Sequence, residues 1–75
     1  MKELVEYMAK NLVDDPSQVH VRESVTPQEI RVDLHVAPDD MGRIIGKNGR
    51  VVNSLRVLLR VSAVRQGKRA SLEIN

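Results

Sequence analysis

Apolar positions recur along this chain with two spacings, every three to four residues in some stretches and every second residue in others. From Lys2 to Leu12 the spacing is helical, which predicts a short amphipathic helix. The sequence Asp14-Asp15-Pro16 is expected to end it, because proline disfavours helical geometry in the residue before it.

Two stretches of period-two alternation follow and predict a β-hairpin. The segment Val19–Val25 places three valines on one face, and Ile30–Val36 has the clearest strand alternation in the chain. A short turn at Thr26-Pro27-Gln28 joins them, so the two strands should pair antiparallel.

The second half of the chain predicts two helices and a closing strand. Ala37–Asp40 is expected to open the first of these helices, with its aspartates at the positive end of the helix dipole. Gly46 and Gly49 should end that helix, and a long one is predicted from Arg50 to a C-terminal cap at Gly67. The apolar stripe of the long helix comprises Val52, Leu55, Leu59 and Ala63, broadened by Val51 and Leu58. The closing strand has alternating Ala70, Leu72 and Ile74.

The order of elements is therefore helix, strand, strand, helix, helix, strand, and 75 residues make one domain, residues 1–75. The connection between the second and third strands runs through two helices, and such crossovers join parallel strands. We predict an α+β fold with a three-stranded mixed sheet, the second strand central and the helices packed on one face.

Composition narrows the function. Tyr7 is the single aromatic residue, and the absence of cysteine excludes disulfides, thiolate zinc sites and cysteine nucleophiles. A thin core argues against an enzyme with a buried cavity. No apolar run approaches the ~18–20 residues of a membrane span, and no secretory signal begins the chain, so we expect a cytoplasmic protein.

The small net charge of +2 hides a strong asymmetry. Residues 1–40 carry four basic and nine acidic side chains, a net of −5, whereas residues 41–75 carry eight basic and one acidic, a net of +7. Segregation of this kind indicates a polyanionic partner, although a solvated basic helix face would also produce it.

The most informative segment is the run from Gly42 to Arg50, Gly-Arg-Ile-Ile-Gly-Lys-Asn-Gly-Arg. Its two closely spaced glycines leave the backbone open to close approach, and the following helix offers an N-terminus that favours anions. Lys47 lies at the tip, with Arg43 and Arg50 on either side, so the segment predicts a clamp for a phosphate backbone. A P-loop would need four residues between its first glycine and the Gly-Lys pair, with Ser or Thr where Asn48 stands.

This loop, its aliphatic flanks and the order of elements resemble a KH domain of the bacterial, type II arrangement, and the resemblance covers nearly the whole chain. It implies that Gly46, Lys47, Asn48 and Gly49 clamp single-stranded RNA and that Ile45 forms the aliphatic floor of a base groove. Together with Arg43 and Arg50, these are the predicted RNA-binding residues.

The resemblance also implies a non-catalytic protein without cofactors, an RNA chaperone or post-transcriptional regulator. It further implies a homodimer or pairing with a second KH-containing protein. Single-stranded DNA stays open as a ligand because a phosphate clamp serves both nucleic acids. The alternative is a protein–protein interaction module of KH shape that uses its first helix or its sheet edge.

Other polar residues give weaker signals. We expect Arg56 and Arg60 to be solvated rather than turned to the groove, and we leave Arg65, Lys68 and Arg69 undecided. His20 and His35 should be surface residues on different strands, with no metal site. Without aromatic stacking, binding by one copy should be modest and salt-dependent, and aspartates at both Gly46 and Gly49 should abolish it without unfolding the chain.

Overall fold

The computed structural model covers residues 1–75 and has the predicted order of elements. The helices are α1 Lys2–Leu12, α2 Met41–Ile45 and α3 Arg50–Arg65. The strands are β1 His20–Val25, β2 Glu29–His35 and β3 Arg69–Ile74. Short 3₁₀ turns occupy Pro16–Gln18, Pro38–Asp40 and Lys47–Gly49. The predicted α+β class is confirmed.

The strands form one mixed sheet in the order β1-β2-β3. β1 and β2 pair antiparallel, from His20 opposite His35 to Val25 opposite Ile30. β2 and β3 pair parallel, as expected for strands that are joined through two helices. The central position of β2 is confirmed, and β3 is an edge strand that lies against α3.

The core lies between the helices and one face of the sheet and consists of fourteen buried aliphatic residues. The first half of the chain supplies eight of them, on α1, on β1 and β2 and beside these strands: Val5, Ala9, Val19, Val21, Ile30, Val32, Leu34 and Val36. The second half supplies the other six, on α2, α3 and β3: Ile44, Val52, Leu55, Leu59, Ala63 and Leu72. The predicted four-residue stripe of α3 is therefore confirmed as its core face.

Two apolar side chains that the sequence places on apolar faces of their elements are exposed. Val25 is 55% exposed because it is the last residue of β1, beside the turn and beyond the cover of the helices. Leu58 is 46% exposed because it lies on the outer side of α3, past the edge of its contact with the core. Val51, the other residue expected to broaden the stripe, is partly buried against the core.

The segment that leads into α2 differs from the prediction. Pro38–Asp40 forms a 3₁₀ turn, and α2 is only five residues long. Asp40 does not cap its own helix: its buried carboxylate accepts hydrogen bonds from the backbone N–H groups of Asp14 and Asp15, both at 3.1 Å. Asp40 therefore links the segment after α1 to the start of α2 through hydrogen bonds.

The long helix ends as the glycine predicts. Gly67 has a φ of 69°, its N–H donates to the carbonyl of Val64 at 3.0 Å, and the N–H of Lys68 donates to that of Ala63 at 2.9 Å. This 5→2 and 6→1 pair is a Schellman motif, which satisfies the last carbonyls of α3. No helix of the protein combines the length and apolar character needed to cross a membrane.

Candidate nucleic-acid interface

The loop between α2 and α3 is a tight turn built from left-handed residues. Gly46, Asn48 and Gly49 have φ values of 76°, 58° and 74°. Glycine reaches such values without a steric penalty, and asparagine is among the side chains that tolerate them best. The sequence Gly-Lys-Asn-Gly therefore fits the backbone of this turn position by position.

Gly46 is also fixed by packing. A Cβ atom placed on it would lie 2.4 Å from Cγ2 and 2.9 Å from the backbone nitrogen of Val51. A Cβ on Gly49 would meet only ordinary contacts, the nearer 3.6 Å from Nδ2 of Asn53, and its strain would come from the positive φ alone. The expectation that aspartates at both glycines would leave the fold intact is therefore wrong for Gly46, since the backbone of α3 would have to move.

The loop presents two free cations. Lys47 and Arg50 are exposed and form no ion pair, and Arg50 is the first residue of α3, where the helix dipole favours an anion. These two side chains occupy the positions that the sequence predicts for a phosphate clamp.

Arg43 faces a different neighbour. Its Nη2 lies 2.8 Å from Oδ2 of Asp14, and its Nε lies 3.6 Å from Oδ1 of Asp40. The structure thus brings Arg43 to the connection between α1 and β1, where it supports the contact made by Asp40. Its side chain is 53% exposed, so these contacts leave part of the guanidinium open to solvent.

The two isoleucines before the loop have separate places. Ile44 is fully buried in the core, whereas Ile45 is 39% exposed next to the turn. Of the two isoleucines, only Ile45 can therefore offer an apolar surface to a ligand.

A cleft of about 250 Å³ lies between α3 and the edge strand β3. Arg56 and Arg60 both line it, and Nη2 of Arg56 donates to the carbonyl oxygen of Leu72 at 3.4 Å. Both arginines are exposed, as expected of solvated side chains, and the cleft that they line was not anticipated from the sequence. The other lining residues are Leu59, Ala70, Ser71 and Leu72.

The cleft and the loop share one side of α3. Asn53, Arg56 and Arg60 are spaced three and four residues apart, which places them on the same side of a helix. Asn53 lies beside Gly49, so this side begins at the loop and runs about 10 Å to Arg60. The sequence shows the spacing, but only the position of β3 shows that this side borders a cleft.

The basic half of the chain keeps its cations unpaired. Of its eight basic side chains, Arg43 alone takes part in an ion pair. The seven others are Lys47, Arg50, Arg56, Arg60, Arg65, Lys68 and Arg69. A surface of this kind attracts polyanions through its field and keeps its donors available.

The two histidines are exposed and lie on different strands, as predicted. His20 and His35 are directly opposite each other in the β1–β2 register, with ring centroids 5.9 Å apart and planes 25° from parallel. They lie on the open face of the sheet, away from the helices. No three or more His, Cys, Asp or Glu side chains gather at a distance suited to a metal ion.

The order of elements, the mixed sheet and the glycine-bounded turn between α2 and α3 define a KH domain of the type II arrangement. A model of the family described as "KhpA/KhpB, KH domain" matches residues 2–74. The chain belongs to this family.

Similar proteins come from several bacteria. A protein named "RNA-binding protein KhpA" from Clostridium perfringens is 45% identical over 74 residues, which is 99% of each chain. Proteins of the same name from Clostridium acetobutylicum and Chlamydia trachomatis are each 46% identical over 99% of this chain. The aligned residues make up 99% and 95% of those two proteins, respectively. No solved structure gives a significant match.

Proposed function

We propose that this protein binds single-stranded RNA, without catalysis, in a groove that starts at the Gly46–Gly49 loop and continues along the cleft between α3 and β3. The observation that carries the proposal is the pair of unpaired cations, Lys47 and Arg50, on a glycine-bounded turn at the N-terminus of a long helix. The names of the relatives, which call those proteins RNA-binding, support it.

The loop would act on the backbone of the RNA rather than on its bases. Gly46 and Gly49 carry no side chain that would hold a phosphate away, and the dipole of α3 adds a positive potential at the same point. Lys47 supplies a mobile point charge and Asn48 a neutral donor at the tip. Ile45 offers an apolar surface beside them.

The cleft would receive the nucleotides that follow. Arg56 and Arg60 can contact phosphates or the edges of bases, while Leu59, Ala70 and Leu72 supply apolar walls. Because Tyr7 is the only aromatic residue and lies on α1, base stacking on aromatic rings contributes nothing here. We therefore expect modest affinity that depends strongly on salt. The compartment we propose is the cytoplasm, where a bacterial cell makes and uses its RNA.

The test is a salt titration of binding to a short single-stranded RNA, with the same sequence in DNA alongside. The logarithm of the affinity should fall linearly with the logarithm of the salt concentration, by about 0.7 per phosphate contacted. Lys47→Glu should weaken binding about tenfold, which is ~1.4 kcal/mol, and should lower the slope. A preference for RNA over DNA would indicate contacts to the 2′-hydroxyl.

The matched control is Lys2→Glu, which makes the same change in net charge at an exposed position on α1. It should leave RNA affinity within a factor of about two, since screening limits the effect of a distant charge. Equal losses in the two variants would remove the loop from the mechanism, and absence of binding by the parent protein would remove RNA binding itself.

A second function, self-association, is favoured by the outer side of α3. Val57, Leu58, Val61 and Val64 form a continuous exposed stripe there, half of all large exposed hydrophobic residues in the chain. A two-fold axis would pack this stripe against the same stripe of a second copy, which buries all eight side chains. The stripe extends only about 10 Å, so we expect a weak, concentration-dependent dimer.

Sedimentation analysis over a range of concentrations tests this pairing. Val61→Lys should shift the protein towards monomer, because a lysine would lie near the centre of the contact. Val25→Lys is the matched control, since Val25 is 55% and Val61 52% exposed, and it should leave association unchanged. If the parent protein is monomeric alone but pairs with a KhpB-type KH domain through Val61, the partner of this stripe is that domain and not a second copy.

A further inference from the structure

The open face of the sheet carries a pair of side chains that the RNA groove does not use. His20 and His35 are directly opposite across two paired strands, and directly opposed residues on one face have Cβ atoms about 5 Å apart. Their ring centroids are 5.9 Å apart, so the two rings are neighbours but are not in tight van der Waals contact. Both side chains are exposed.

Neither imidazole is held by another group of the protein. No side-chain hydrogen bond or ion pair of the chain involves His20 or His35. Their ring nitrogens are therefore free to turn towards a common point. A metal–nitrogen bond of about 2.0–2.1 Å from each ring places one ion between the two.

The surroundings do not repel a cation strongly. The two rings lie in a shallow hollow of about 380 Å³ together with Arg22, Asp33 and Asn75. Asp33 is opposite Arg22 in the register, so the two charged side chains that line the hollow are of opposite sign. The amide of Asn75 adds an oxygen that can face the same hollow.

We propose that His20 and His35 form a two-imidazole chelate for a divalent transition-metal ion. Imidazole favours Cu²⁺, Ni²⁺ and Zn²⁺ over the oxygen-preferring Mg²⁺ and Ca²⁺, and among these ions Cu²⁺ binds most tightly. With two protein ligands, the remaining coordination positions are taken by water. This is an open site on the sheet surface rather than a closed structural one.

Folding creates the site, which gives a direct test. The two histidines are far apart along an unfolded chain, and only the pairing of β1 with β2 brings them together. A metal that binds the folded form preferentially must raise its melting temperature as the metal concentration rises. Ni²⁺ is a suitable first probe, and a chelator should reverse its effect.

The experiment measures the melting temperature and the affinity for Ni²⁺ in the parent, His20→Ala and His35→Ala. We expect a rise with Ni²⁺ in the parent and at least about a tenfold loss of affinity in each variant, because one imidazole cannot chelate. Both histidines are exposed, and circular dichroism will confirm that the variants fold. In NMR spectra of the parent, Cu²⁺ should broaden the ring signals of both histidines first.

Two results would overturn the site. One is a parent protein whose melting temperature and calorimetric titration show no response to Ni²⁺. The other is a response that persists in either single variant, which would place the ion elsewhere, for example at the terminal amine. Because the site lies on the face opposite the helices, the RNA titration with Lys47→Glu is independent of both outcomes.

Discussion

Residues 1–40 and residues 41–75 carry net charges of −5 and +7, and the two halves place those charges in different ways. In the acidic half, carboxylates bind neighbours within the chain. Glu6 pairs with Lys10 at 3.1 Å, Asp33 with Arg31 at 3.3 Å, and Asp40 holds two backbone amides. In the basic half, seven of eight cations have no carboxylate partner.

This difference separates charges that serve the fold from charges available to a ligand. Arg43 is the exception in the basic half, because Asp14 and Asp40 of the acidic half hold it at the junction. Removing a carboxylate should therefore change stability, and removing a cation should change RNA affinity. This division of roles is wrong if removing a carboxylate changes RNA affinity, or if removing a cation of the basic half changes stability.

The largest effect on stability is expected at Asp40. In Asp40→Asn, the N–H groups of Asp14 and Asp15 would meet one oxygen and one NH₂ group at a buried side chain, so one of these partly buried hydrogen bonds would be lost. The free energy of unfolding should fall by about 2 kcal/mol, as measured by urea denaturation. RNA affinity under conditions where the variant is folded should stay close to that of the parent.

Asp14→Asn is the matched control, with the same chemical change in the same cluster. Its carboxylate is 77% exposed and pairs with Arg43, so the loss should be below about 1 kcal/mol. An equal loss of unfolding free energy in the two variants would mean that the burial of Asp40 adds nothing to stability. A fall in RNA affinity with Asp14→Asn or Asp40→Asn would mean that Arg43 depends on them to contact RNA.

The fold was accessible to sequence reasoning because its signals are local. Helical spacing in α3, period-two alternation in β2 and the glycine at the end of α3 each reflect the chain's own geometry. The length of the crossover was enough to predict the parallel pairing of β2 with β3. The positions of Gly46, Lys47 and Gly49 on a turn before a helix followed from the same kind of local pattern.

What the sequence did not reveal depends on contacts between distant residues. Asp40 reaches residues 25 and 26 positions away, and His20 meets His35 only through the register of the hairpin. The direction of Arg56 and Arg60 depends on where β3 lies against α3. The steric need for glycine at position 46 likewise depends on the approach of Val51, which no residue pattern encodes.

A smaller effect, on binding rather than stability, is expected from the cleft. The double variant Arg56→Gln with Arg60→Gln should weaken RNA binding by up to about tenfold and lower the salt slope by up to about 1.4, if both arginines contact phosphates. Arg22→Gln with Arg31→Gln removes the same charge from the sheet in the acidic half and should leave both quantities nearly unchanged. Equal losses of affinity from the two pairs would mean that net charge alone sets the affinity. The position of Arg56 and Arg60 in the cleft would then contribute nothing to RNA binding.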